Sequence, residues 1–123
     1  MKMKGLDHVA LTVQNLQTSI DWYRKVLQLE IVDFPAWNDR PVMLRGGTGM
    51  LALFEYSDDN AKDTSIFHLA FSIDQTNYQE FVRHFQANDI PYYEEDHHYF
   101  HSVYLKDPDG YKIELTTPTG IKN

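Results

Sequence analysis

Phe67-His68-Leu69-Ala70-Phe71-Ser72-Ile73 follows the plan of an earlier stretch, Asp7-His8-Val9-Ala10-Leu11-Thr12-Val13. From the histidine onward, each runs apolar, alanine, apolar, hydroxyl, β-branched. The two histidines lie 60 positions apart in a chain of 123, so the second half restarts where the first began. Such internal self-similarity constrains the architecture more than any local pattern.

Working outward, Val9, Leu11 and Val13 alternate with His8, Ala10 and Thr12, the period-2 pattern of a strand over 6–13. Asn15 sits where a helix N-cap belongs, and Leu16, Ile20, Tyr23 and Leu27 follow at helical spacing. Residues 30–34 read as a strand, and Pro35, Asn38, Asp39 and Pro41 mark a loop carrying Trp37. Residues 42–45 and 50–56, joined by Gly46-Gly47-Thr48-Gly49, read as a hairpin. A polar run over 57–64 links the halves.

The second half repeats this order. A strand over 65–73 holds His68. Asp74 then caps a helix that shows Tyr78, Phe81, Val82 and Phe85 at helical spacing. A short strand over 90–94, interrupted by Pro91, precedes a hairpin of 100–106 with 111–117 around Asp107-Pro108-Asp109-Gly110. Each half is therefore βαβββ, a first module over 1–57 and a second over 65–118 of a single domain, 1–123. Overlaying the hairpins sets Val42-Met43-Leu44-Arg45 on Val103-Tyr104-Leu105-Lys106 and Leu53 opposite Glu114.

Composition narrows the function. A hydrophobic share of 42% with 24% charged residues is that of an ordinary globular protein. The net charge of −7 opposes nucleic-acid binding, because phosphates would be repelled. Apolar runs stay well short of the ~18 residues that a membrane span needs, and Met1-Lys2-Met3-Lys4 leads straight into a strand pattern rather than a signal peptide. With no cysteine, a metal ion must be held by histidine and carboxylate, and the cytoplasm is the expected compartment.

The opening His8-Val9-Ala10, the helix SIDWYRKVL at 19–27, the strand FHLAFSI at 67–73 and above all KDPDGYKIEL at 106–115 resemble the vicinal oxygen chelate superfamily. That group contains glyoxalase I, extradiol dioxygenases, fosfomycin-resistance thiol transferases and bleomycin-resistance proteins. The resemblance spans essentially the whole chain. It implies an α+β fold in which two βαβββ modules form an open, cup-shaped mixed sheet with the helices outside. It also implies a divalent metal ion (Fe, Mn, Zn or Ni), a small-molecule substrate and a homodimer.

Strand alternation puts His8, His68 and Glu114 on the faces turned away from the helices. Two imidazoles and one carboxylate form a facial set with open positions, which Fe(II) and other divalent ions accept. Glyoxalase I uses a histidine and a glutamate from each half. Here Leu53 stands at the counterpart of Glu114, and Glu55, two residues on, reaches the site only through a register irregularity. Met43, Arg45, Leu51 and Leu53 are expected to line the first half of the cup. Phe100, Ser102 and Tyr104 are expected to line the second, with Trp37 and Phe34 at the edge. Arg45 suits an anionic substrate group.

Tyr104 lies ten residues before Glu114, the spacing at which extradiol dioxygenases carry a tyrosine close to the substrate. It is the expected hydrogen-bonding or proton-transferring residue. In Asp96-His97-His98-Tyr99-Phe100-His101, the expected acid or base is His98. His101 has the parity of Val103 and faces away, and His84 lies on a solvated helix face. The leading expectation is a metal-dependent, dioxygenase-like enzyme. A glyoxalase-type lyase is an alternative. So is a thiol transferase, favoured by FHLAFSIDQ but lacking that group's Ser-rich potassium-binding segment and C-terminal extension. The third alternative is a metal-free drug-binding protein.

Overall fold

The computed structural model describes residues 1–37, 41–57, 68–96 and 98–118. Asn38 and Asp39 of the expected loop, residues 58–64 of the linker, residues 65–67 of the second histidine strand and His97 lie outside the described residues. The chain divides into two compact units, Met1–Asp63 and Thr64–Asn123.

The first unit runs β1 (His8–Val13), α1 (Leu16–Leu27), β2 (Glu30–Val32), a short 3-10 turn (Pro35–Trp37), β3 (Val42–Gly46) and β4 (Gly49–Glu55). Its sheet order is β1-β4-β3-β2, with β1 parallel to β4 and the other pairs antiparallel. The second unit runs β5 (Leu69–Ser72), α2 (Gln75–Ala87), β6 (Tyr93–Asp96), β7 (Phe100–Lys106) and β8 (Lys112–Pro118). Its order, β5-β8-β7-β6, and its strand directions are the same. Two helices and two four-stranded mixed sheets make the class α+β.

Local chemistry explains the helix ends. Asn15 takes an extended backbone and its side chain accepts from the Thr18 N–H at 2.9 Å, satisfying one of the donors that a helix start leaves open. Gln28 closes α1 in the left-handed region. Asp74 occupies the equivalent cap of α2 with its backbone alone. Ser19, Ile20, Tyr23, Val26 and Leu27 form the buried stripe of α1, which packs on β3 and β4. Tyr78 and Phe85 do the same for α2, which packs on β8. The strand expected over 90–94 instead begins at Tyr93, beyond Pro91, which lacks the N–H that a ladder position needs.

One difference between the units bears on the site. Gly46 pairs with Gly49 across Gly47-Thr48, whereas the Asp107 N–H meets the Tyr111 carbonyl across Pro108-Asp109-Gly110. The second turn is thus one residue longer. It is built around Asp107, a buried carboxylate that accepts from the N–H groups of Asp109 (2.9 Å) and Tyr111 (2.8 Å). Gly110 completes it at φ 88°, where a side chain would be strained. As a result Ala70 pairs with Glu114, but Ala10 pairs with Ala52. The counterpart of Glu114 is Ala52, not Leu53.

Candidate metal centre

In the second unit, the parallel pairing of β5 with β8 sets Ala70 beside Glu114. His68, two residues before Ala70, shares that face by strand alternation. Its Nε2 stands 3.1 Å from Glu114 Oε1, with the imidazole side chain 34% exposed and the carboxylate only 10%. The acid is sunk in the sheet face and the base lies at its rim. On β7, Ser102 is fully buried and its hydroxyl donates to Glu114 Oε2 at 2.7 Å. Both carboxylate oxygens are therefore engaged, one from below and one from the rim.

Tyr104 lies directly across from Glu114 on β7, and Tyr93 on β6 is the next residue in that row. The Tyr93 and Tyr104 rings stack with centroids 4.9 Å apart, and Lys112 Nζ lies 4.5 Å from the Tyr104 centroid. Burial, reinforced by the charge of Glu114, pushes the Tyr104 hydroxyl above the ordinary tyrosine range, so it keeps its proton at neutral pH. A hydrogen bond with Tyr93 holds the Lys112 ammonium in its charged form.

In the first unit His8 begins β1, with its Nδ1 2.9 Å from Asp7 Oδ2. A carboxylate only accepts, so Nδ1 carries a proton in this contact, and Nε2 is the nitrogen left to face a metal ion. This is the carboxylate–histidine pairing that orients metal-binding imidazoles. Across the sheet, His8 pairs with Met50, Met50 with Arg45, and Arg45 with Glu30. Arg45 is exposed on the His8 face, about 10 Å from the histidine strand at two strand spacings. The next row along holds Ala10, Ala52 and Met43.

Several expected positions are corrected. Leu53 pairs with Leu11 and Val42 on the helix-facing side, completely buried, and Leu51 accompanies it there, so neither shares the face of His8. Aligning the halves without the extra turn residue puts both on the opposite face. Glu55 pairs with Val13 on the same helix side, and its Oε2 accepts from the Leu16 N–H at 3.2 Å, capping α1. Ser102 shares the face of Glu114 but lies beneath it, fully buried, and so does not line an open pocket.

Phe100 is exposed on the Tyr104 face, and Trp37 is exposed and stacked on Phe34 at 4.6 Å. His98 lies in the β6–β7 turn, beyond the Phe100–Pro118 rung, which is about 13 Å along β8 from Glu114. Its backbone N–H bonds Asp96 at 2.9 Å, and its φ is 74°. His101 packs on Tyr78 at 4.8 Å, on the helix side. His84 lies partly exposed on α2, where it bonds Asn88. What the sequence did not reveal is the Ser102–Glu114 contact, because alternation gives a face but not the register between two strands.

Among the described residues, no three histidine or acidic side chains stand close enough together to enclose an ion. The second unit supplies two converging donors, an imidazole nitrogen and a buried, anchored carboxylate oxygen. That donor chemistry fits a first-row divalent ion.

The family model of the glyoxalase/bleomycin resistance protein/dioxygenase superfamily matches residues 5–115. The chain belongs to this superfamily. Within it, the metallothiol transferase FosB of Staphylococcus saprophyticus is 30% identical over 122 residues, covering 95% of this chain and 79% of that protein. A solved glyoxalase/dioxygenase from Nostoc punctiforme superposes with a TM-score of 0.76 at 25% identity, covering 94% of this chain and 91% of its own. The fosfomycin resistance protein FosX of Listeria monocytogenes superposes at 0.73 with 19% identity and 97% coverage of both chains, a likeness of fold. Superfamily membership accords with the two helices and two four-stranded mixed sheets.

Proposed function

We propose that this protein is a divalent-metal-dependent transferase that joins a thiol to a small, oxygen-bearing electrophile. The observation that carries the metal requirement is the buried, doubly engaged Glu114 carboxylate facing His68 at 3.1 Å. Its likeness to a metallothiol transferase along 95% of the chain favours the transferase reaction over the others in the superfamily. His68, Glu114 and His8 hold the ion, His8 coming from this chain or from a second copy in a homodimer. When bound, the ion supplies Lewis-acid polarisation of a substrate oxygen.

This chain's own residues do the rest. Tyr104, protonated and opposite Glu114, donates a hydrogen bond to the substrate oxygen that gains charge. Arg45 takes an anionic substrate group in its guanidinium fork. Phe100 and Trp37, both exposed, provide apolar walls, whereas Met43 is buried in its sheet and offers none. The thiolate attacks carbon, a C–S bond forms as a C–O bond breaks, and the released oxygen takes up a proton. Among the described residues no helix is long and apolar enough to cross a membrane, and the cytoplasm supplies the low-molecular-weight thiols that such a reaction needs.

A second reading, a dioxygenase-like enzyme, draws on the position of Tyr104 directly across from Glu114. One pair of assays separates the two. The purified protein, loaded in turn with Fe(II), Mn, Zn or Ni, is given fosfomycin with a small thiol, and separately a catechol under oxygen. Metal-dependent loss of free thiol, abolished by chelator and by Glu114→Ala, is the expected result. Oxygen uptake with the catechol and no thiol loss would replace the transferase reading with the dioxygenase one. Absence of stoichiometric metal from protein purified without chelator would leave drug binding as the function.

A further inference from the structure

We propose that Ser102 is a positioning residue for the metal-binding carboxylate of Glu114, and that Thr116 in turn orients Ser102. This rests on the reading of His68 and Glu114 as metal donors, and it assigns a role to two hydroxyls that touch no ligand. Ser102 Oγ lies 2.7 Å from Glu114 Oε2 and 2.9 Å from Thr116 Oγ1. Ser102 has one proton, and an ionised carboxylate only accepts. The serine proton therefore goes to Glu114, and the serine oxygen is left to accept from Thr116 and from Tyr104, whose hydroxyl also bonds Ser102. The three side chains form a one-way chain, Thr116 to Ser102 to Glu114.

Strand pairing fixes the members of this chain. Ser102 pairs with Thr116 across β7 and β8, and Glu114 is two residues before Thr116 on the same face of β8. No loop motion intervenes between the hydroxyls and the acid. Ser102 is completely buried, so it acts on Glu114 and not on a substrate. Its bond holds Oε2 down, which leaves Oε1 facing His68. Without the hydroxyl, a carboxylate that is 8% exposed would have one oxygen without a donor and a side chain free to turn toward solvent. Hydrogen bonds behind a metal-binding carboxylate tune affinity as well as orientation.

The test titrates the purified protein with Co²⁺ and follows both the dissociation constant and the visible absorption band of the bound ion. Ser102→Ala is expected to weaken Co²⁺ binding by about 10- to 100-fold and to shift the band, and Ser102→Thr, which retains the hydroxyl, to restore both. Thr116→Val keeps the side-chain shape, removes only the threonine donor, and is expected to weaken binding severalfold. Affinities within twofold of wild type in Ser102→Ala, or in Thr116→Val should the former not fold, would overturn the inference. If the unmodified protein takes up no Co²⁺, the metal reading falls, and the crystal structure of the variant decides the role of Ser102. A Glu114 carboxylate still within hydrogen-bonding distance of His68 refutes it, and one turned away supports it.

Discussion

Replacing Asp107 by alanine tests whether one buried carboxylate sets the β7–β8 turn. Its Oδ1 accepts from the N–H groups of Asp109 and Tyr111 at 2.9 and 2.8 Å, and the residue is 5% exposed. Hydrogen bonds to a charged acceptor contribute about 1.5–3 kcal/mol each. The Asp109 N–H is only partly buried and regains water in the variant, whereas the Tyr111 N–H is buried and is left unpaired. The expected loss is therefore about 3 kcal/mol, nearer the lower end of the two-bond total. For a chain of this length, a melting temperature moves by about 4 °C per kcal/mol, so Asp107→Ala should melt about 12 °C lower. Asp107→Asn keeps one neutral oxygen to accept the same bonds and should lose about 1 kcal/mol, or about 4 °C. Circular dichroism melts of the three proteins read the result directly. A shift under 4 °C for the alanine variant, or equal shifts for both variants, would refute the turn's dependence on that charge.

The alkaline limb of stability should depend on Tyr78. Burial, and then its 2.8 Å hydrogen bond to Glu94, raises the Tyr78 hydroxyl well above the ordinary tyrosine range. The folded chain therefore holds this proton more tightly than the unfolded chain. The corresponding stability is complete below pH about 10 and is lost as pH rises toward the folded value. Melting temperatures between pH 8 and 11.5 should fall less steeply in Tyr78→Phe than in wild type, and parallel curves would count against it. Finally, Ala52→Glu places a carboxylate at the true counterpart of Glu114, on the face of His8. The variant should be less stable than wild type without metal, because the residue is 2% exposed, yet gain more melting temperature on adding Zn²⁺. An equal gain in both proteins would argue against a site at that face.

Most of the fold is written in alternation. The histidine strands, the Asn15 cap, the stripes of α1 and α2 and both hairpins follow from residue spacing, since a strand with one buried face and a helix with one buried stripe leave a periodic mark. What spacing does not carry is register across a turn. The hairpins align at an offset of 61 up to Arg45 and Lys106, but one added residue in the Asp107 turn changes the offset to 62 beyond it. That single residue moves Leu53 and Glu55 from the expected face to the helix side, because a slip of one reverses every side chain. The role of Ser102 was hidden for the same reason. Its face was evident, but its place below Glu114 depends on the pairing with Thr116.

The turn is thus a chemical variable as well as a connection. In both units the residue two after the strand histidine pairs with a fixed position on the last strand: Ala10 with Ala52, and Ala70 with Glu114. The backbone frame is the same, yet one position ends in a methyl group and the other in a carboxylate braced by two hydroxyls. Ala52 is buried on a face shared with Met43, so the first unit keeps its packing with no acid there. Glu114 is tolerated in an equally buried place only because Ser102 and His68 meet both of its oxygens. A duplicated βαβββ module can therefore carry or lack a buried carboxylate at this position while its topology stays intact. The hydroxyls behind the acid, rather than the strand order, distinguish the half that carries it.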